Sequence, residues 1–200
     1  LGKDLRTIPF MTRQVPSPPQ TPSPSPEPSW VGPTPVFEPR TLGKLFEFRE
    51  AIWRNEPRLV DCSQFNPQTL RDTHDDHGLH WIITVDGTIV AAARVCIHDD
   101  PGEVPYQQGL QHLLADIPCP IASLNRLVVH PAMRRQGLTR PLTDVRIAAA
   151  RSKGARTMIV EAQPDRVLPL KDVGFRELGQ SKGQPGDLVP YTLMYFDISA

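Results

Sequence analysis

Apolar residues recur along this chain with two periods, and each change of period marks an element. In "LGKLFEFREAIWRNE", Leu42, Leu45, Phe46, Phe48, Ile52 and Trp53 fall near helical spacing. That predicts a helix opened by Thr41 as N-cap and stopped by Pro57. "LHWIITVDGTIVAAARVCIHDD" instead carries two β-branched apolar runs on either side of Asp86-Gly87. This pair suits the positive φ angles of a type I′ turn, so the segment predicts a hairpin. Further strands are predicted at "IASLNRLVVH", "ARTMIVEAQ", "GFRELGQ" and "YTLMYFDIS", and a short edge strand at "PTPVFEPRT", where prolines are tolerated. A helix over 137–152 places Leu138, Leu142, Val145 and Ala149 on one face. Shorter helical segments are predicted over 164–172, more weakly over 66–77, and as one turn over 107–114 within the long loop 99–119.

This order predicts a mixed α/β (α+β) fold, a central twisted mixed sheet flanked by helices. Composition divides the chain. Of its 23 prolines, ten lie between Pro16 and Pro39, and residues 16–29, "PSPPQTPSPSPEPS", are low-complexity sequence that extends as polyproline II. Residues 1–35 therefore read as a flexible arm or linker and residues 36–200 as one folded domain. The 22 basic and 22 acidic side chains cancel, which gives no global electrostatic case for nucleic acid or an anionic membrane. No apolar run approaches the roughly 18 residues that span a bilayer. The three cysteines show no disulfide or zinc spacing, which fits a reducing compartment and makes a cytoplasmic location the default expectation.

Charge is neutral globally but not locally. From Arg126 to Arg156 there are eight basic residues and one acidic one, Asp144. Within that span "RRQGLTR", Arg134 to Arg140, joins a strand to a helix. The first amides of a helix lack internal acceptors, and its dipole favours an anion there. Gly137 allows close approach, Thr139 offers a hydroxyl, and Arg134, Arg135 and Arg140 supply forked donors. Composition alone leaves two readings of this stretch, a solvated basic turn and a phosphate cradle. "HDDHGLH" (His74, His77, His80) reads as a polar loop before a strand, so no metal site is expected. Cys96 reads as buried packing.

The stretch "RRQGLT" resembles the cofactor motif of the GNAT superfamily of N-acetyltransferases, Q/R-x-x-G-x-G/A. It matches at Arg134 and Gly137 and has Thr139 where Gly or Ala is usual. "LNRLVVHP" is similar to the family's splayed fourth strand, and "LKDVGF" to its Gly-Phe element; the resemblance covers residues 36–197. It implies a GNAT-like acyl-CoA N-acyltransferase fold, with acetyl-CoA or another acyl-CoA as cosubstrate and a small-molecule amine as acceptor. Leu127, Val128 and Val129 would pair with the pantetheine, an amide near Val128 would polarise the thioester carbonyl, and Arg134, Arg135, Gln136, Gly137, Leu138, Thr139 and Arg140 would hold the pyrophosphate. Where the family often has an acidic tyrosine this chain has Leu170, and Gln163 replaces a common Asn. Glu161 is the first candidate base, and Tyr191, or Tyr195, a candidate acid.

A narrower resemblance is to acyl-homoserine lactone synthases and N-acyl amino acid synthases, which use acyl-carrier protein. Arg49, Trp53, Arg94 and Arg126 resemble their arginine and aromatic set, and arginines converging on a pocket suit a carboxylate. Three readings follow: transfer of an acetyl or other acyl group from acyl-CoA to a primary amine, an acyl-carrier-protein-dependent synthase, and a non-catalytic acyl-CoA-binding domain. A homodimer stays open.

Overall fold

The computed structural model describes residues 29–56, 71–105, 111–181 and 190–198. Strands β1 (Val31–Val36), β2 (Leu79–Val85), β3 (Thr88–His98), β4 (Ile121–Val129), β5 (Thr157–Ala162), β6 (Arg176–Ser181) and β7 (Tyr191–Asp197) join in one sheet. Their order is β1-β2-β3-β4-β5-β7-β6. Only β4 and β5 pair in parallel; the other described pairs are antiparallel. Helices α1 (Pro39–Arg54) and α2 (Gln111–Leu114) pack on one face of the sheet, α3 (Thr139–Ser152) and α4 (Pro164–Lys171) on the other.

The β2–β3 hairpin turns at Asp86 and Gly87, with φ of 48° and 76°, as the sequence predicts. β1 begins at Val31, ahead of residue 36, and its prolines are accommodated because it is an edge strand paired only with β2. Expectations at α1 need correcting. Its N-cap is Glu38, not Thr41, because Pro39 supplies a preset helical φ at the first position. It ends at Arg54, before Pro57, where the Asn55 side-chain nitrogen donates to the Ala51 carbonyl at 2.8 Å and its backbone amide to the Ile52 carbonyl at 3.2 Å. The weak helix over 66–77 is not seen where it can be checked: 57–70 lie outside the described residues, and Thr73–Asp75 form a single 3-10 turn. Residues 106–110 also lie outside them, and α2 is the remainder of the predicted turn. The arm over 1–28 likewise lies outside.

Two cores result. On the α3/α4 face, Ala91, Ala93, Val95, Ala122, Leu124 and Met158 meet Leu138, Leu142, Ile147, Ala150 and Leu170. On the α1 face, Leu45, Phe46, Ile52 and Trp53 cover Val36, Ile82, Ala92 and Val128. The buried line of α3 runs through Leu142, Arg146 and Ala150 with Thr143 and Ile147. Val145 and Ala149, expected on that face, lie at its partly buried margin.

Candidate active site

β4 and β5 pair from Ile121↔Thr157 to Ser123↔Ile159 and no further, so the two strands splay beyond Ser123. Between Ala92↔Val128 and Arg94↔Asn125 the register with β3 slips, and Arg126 takes a φ of 54°. This bulge bends β4 where it leaves β5. The His130 amide bonds the Val90 carbonyl at 2.8 Å, so by alternation the Val128 amide also faces β3. The Val129 amide faces the splay.

The turn after β4 behaves as an uncapped helix start. α3 receives no side-chain cap, has no acidic residue in its first turn, and follows Gly137 at φ 76°, where an added Cβ would meet nothing within 4 Å. Arg135 also has a positive φ, 66°. Gln136 is exposed and donates from its side chain to the Ala132 carbonyl at 3.3 Å, whereas Leu138 is buried. Arg134 pairs with Glu56 at 2.7 Å and Arg140 with Asp144 at 2.9 Å; both pairs are exposed enough to exchange for a stronger anion. The turn therefore offers amides, a helix N-terminus and three guanidinium groups to one patch of surface.

On the α1 face Arg49, Arg94 and Arg126 converge, as the narrower resemblance implies. They converge on two internal carboxylates. Arg49 makes a two-pronged bond to Asp75 at 2.8 and 2.7 Å; Arg94 reaches Asp72 at 2.5 Å and Asp75 at 2.6 Å; Arg126 reaches Asp72 at 2.5 Å. Asp72 and Asp75 cap each other's backbone amides at 3.1 Å, which fixes the 3-10 turn. Trp53 lies under two guanidiniums, Arg49 at 5.5 Å and Arg126 at 5.1 Å. Burial pushes both aspartates' pKa values up, but hydrogen bonds from Arg94 and Arg126 to Asp72, and from Arg49 to Asp75, outweigh it and hold both below the usual carboxylate range. Among the described residues the cluster holds three guanidiniums and two carboxylates, and its more exposed end is Asp72 with Arg126, at 22% and 13% side-chain exposure.

A directional hydrogen-bond chain leaves the cluster. Arg94 can only donate, so its 2.6 Å bond to the Asn125 side-chain oxygen fixes that amide's orientation. The Asn125 nitrogen then donates to Ser123 Oγ at 3.0 Å, which in turn lies 2.8 Å from His98 Nε2. Burial, then the neighbouring His74 and Arg94, pushes the His98 pKa down to about 4, so the ring is neutral near pH 7 and its tautomer sets the direction of its bond with Ser123 Oγ. His74 packs edge-on against His98 at 5.7 Å, and His80 Nε2 contacts the Asp75 carbonyl at 3.0 Å. These histidines serve packing and hydrogen bonding; no group of three or more His, Cys, Asp or Glu placed to hold a metal is found among the described residues. Cys96 is buried, and burial raises its pKa to about 11.

Glu161 and Tyr191 lie on β5 and β7, in strand phase with Ile159 and Leu193 on the α2 face. The Gln163 amide donates to the Tyr191 hydroxyl at 3.1 Å. Tyr195 packs against the apolar cluster around Ile121 and Ile159. Leu170, at the family's tyrosine position, is buried in the α3/α4 core. The structure thus brings Arg49, Trp53, Arg94 and Arg126 together and sets the Arg134–Arg140 turn at the mouth of the splay. Sequence reasoning missed Asp72, Asp75, Asn125, Ser123 and His98. The D-x-x-D spacing of a reciprocal cap was the one signal present for the aspartates.

The Acetyltransferase (GNAT) family model matches residues 45–170. Among solved structures, FeeM, an N-acyl amino acid synthase from uncultured soil microbes, aligns with a TM-score of 0.67 at 10% identity, over 86% of this chain and 91% of that one. The acyl-homoserine lactone synthase LasI aligns with a TM-score of 0.59 at 14% identity, over 84% and 92%. MesI, a CoA-dependent acyl-homoserine lactone synthase, aligns at 0.54 and 21% identity, over 80% and 82%. No curated protein matches the sequence. No described helix is long and apolar enough to cross a membrane. The splayed β4–β5 pair, the uncapped turn into α3 and the match over residues 45–170 lead to one conclusion: this chain belongs to the Acetyltransferase (GNAT) family.

Proposed function

We propose that the protein is an N-acyltransferase that joins the acyl group of a thioester to an amine that also bears a carboxylate. The observation that carries this reading is the convergence of Arg49, Arg94 and Arg126 on the α1 face, with Arg126 at the more exposed end of the cluster. An amino-acid-like acceptor presents one carboxylate and one ammonium. Its carboxylate matches the guanidinium of Arg126 at the more exposed end, and its ammonium matches Asp72.

In this reading the donor lies along the splay. Its phosphate sits on the amides and arginines of residues 134–140, and its pantetheine pairs with β4 through Leu127 and Val129 rather than Val128, whose amide is turned to β3. An amide on the splay side polarises the thioester carbonyl as charge develops on its oxygen. The acceptor nitrogen attacks that carbonyl directly. Glu161, on the strand lining the other side of the splay, is the group we assign to receive its proton, directly or through water, with Tyr191 as an acid. The intact phosphate turn favours acyl-CoA as donor; acyl-carrier protein presents the same phosphopantetheine and remains the second reading.

Calorimetry tests the donor half. Acetyl-CoA, octanoyl-CoA and CoA are expected to bind, and Gly137→Val to weaken all three by tenfold or more, since a branched side chain at φ 76° strains the turn and fills the approach to the amides. Absence of binding by every one of them counts against the reading.

A further inference from the structure

Arg134 is held from outside the turn it belongs to. Its guanidinium pairs with Glu56 at 2.7 Å, 78 residues away in sequence, and its Nε reaches the Val129 carbonyl at 3.4 Å. Arg140 is held differently, within its own helix by Asp144 four residues on, with both side chains at least half exposed. That is a local surface pair of small worth. Glu56 is only 16% exposed, and its backbone amide donates to the Trp53 carbonyl at 3.1 Å, which extends the last turn of α1 and sets the carboxylate in place. A carboxylate already held in place loses little freedom on pairing.

The place of the pair gives it meaning. Val129 is the last residue of β4. An extended residue turns its amide and its carbonyl to the same side, so the Val129 carbonyl faces the splay as its amide does. A pantetheine arm entering between β4 and β5 therefore meets this carbonyl first. Arg134 bonds that same carbonyl, and Glu56, at the end of α1, holds the guanidinium there. One side chain thus covers a pairing group of β4 while its own charge is neutralised from within the protein. A donor phosphate arriving at the turn competes with Glu56 for the same fork.

We propose that Glu56 is an internal competitor of the donor's phosphate, and that the Arg134–Glu56 pair is a latch at the mouth of the splay which the donor opens. The inference rests on the thioester-donor reading above. In the latched state Glu56 neutralises Arg134 and the Val129 carbonyl is covered. On donor entry the guanidinium leaves Glu56 for the phosphate, and the carbonyl is released to an amide of the pantetheine arm. Only the unlatched state takes the donor, so the apparent affinity is the intrinsic one scaled by the unlatched fraction. An ion pair of this exposure leaves about a fifth to a third of the molecules unlatched.

The test needs no acceptor. Glu56→Gln keeps the shape of the side chain and removes its charge, and calorimetry is expected to show CoA bound about three- to fivefold tighter than by the wild type. The same gain is expected for 4′-phosphopantetheine, because both ligands need the latch open. In an Arg134→Gln background, where no latch forms, Glu56→Gln is expected to change CoA affinity by less than about 1.5-fold. Plain repulsion between Glu56 and the ligand predicts the opposite pattern. Its gain persists without Arg134 and shrinks from CoA to 4′-phosphopantetheine, which carries fewer phosphates. Either of those results overturns the proposal, as does a Glu56→Gln variant that binds CoA no tighter than the wild type, and all three leave the donor site standing. If neither the wild type nor Glu56→Gln binds CoA or 4′-phosphopantetheine, the donor site falls and the proposal with it.

Discussion

Asp75→Asn is expected to destabilise the protein by about 3–5 kcal/mol, the range for breaking a buried ion pair from one side. The variant keeps the shape of the side chain but removes the carboxylate that Arg49, at 1% exposure, grips with both prongs, and leaves Arg94, at 0%, with Asp72, which it shares with Arg126. Urea denaturation measures this. A loss below about 1 kcal/mol would mean that the cluster is not the buried electrostatic unit described above. The exposed pair between Arg71 and Asp76 is the internal control, and Asp76→Asn is expected to change stability by no more than about 0.5 kcal/mol. The same carboxylates set an acid limit. Their folded pKa values lie below the unfolded value of about 3.9. The unfolded chain therefore binds more protons in that window, and stability rises with pH through it. The stabilisation is complete above the unfolded value and is lost as pH falls toward the depressed folded ones. Asp75→Asn is expected to flatten the dependence of stability on pH between about pH 5 and pH 2.

Arg126→Gln is expected to act on turnover rather than on folding. Arg126 stands at the exposed end of the cluster, over Trp53 and bonded to Asp72, on the bulge of the strand that lines the donor. Removing one charge-assisted contact to an acceptor carboxylate costs about 1.5–3 kcal/mol, so kcat/KM for a carboxylated amine is expected to fall roughly 10- to 100-fold. For the matching amine without a carboxylate the change is expected to be under threefold. Steady-state assays of thiol release with the two acceptors separate these outcomes. An equal loss for both acceptors would make Arg126 a brace for the bulge rather than a contact for the carboxylate.

Much of this architecture is legible in the sequence because the relevant signals are local. Strand periods, the Asp86-Gly87 turn and the apolar spacing of α1 are each contained within a few residues. The arginine set was legible too, although only through the resemblance of Arg49, Trp53, Arg94 and Arg126 to a known group of synthases. What fills their forks was not. Asp72 and Asp75 lie 22 and 26 residues from Arg94 and Arg49 respectively, and in sequence they read as part of a polar loop. Only tertiary folding makes them counter-ions. The face of α3 was misjudged for a related reason. Arg146 interrupts the line Leu142–Ala150, so the apolar period favours Val145 and Ala149, and a charged residue is placed in solvent by default. The phase of β4 was equally hidden: which of Val128 and Val129 turns its amide to the splay depends on pairing with β3, which the strand's own residues do not encode.

The proposed reaction is amide formation between a thioester-borne acyl group and an amine that carries a carboxylate. Its most direct test is mass spectrometry of the products formed from octanoyl-CoA, with octanoyl-phosphopantetheine in parallel, across a panel of α-amino acids, each beside its decarboxylated amine. An N-acyl product is expected with at least one amino acid, formed at least tenfold faster than from the corresponding amine. Equal rates for the two, or bound donor with no amide from any acceptor, would contradict it.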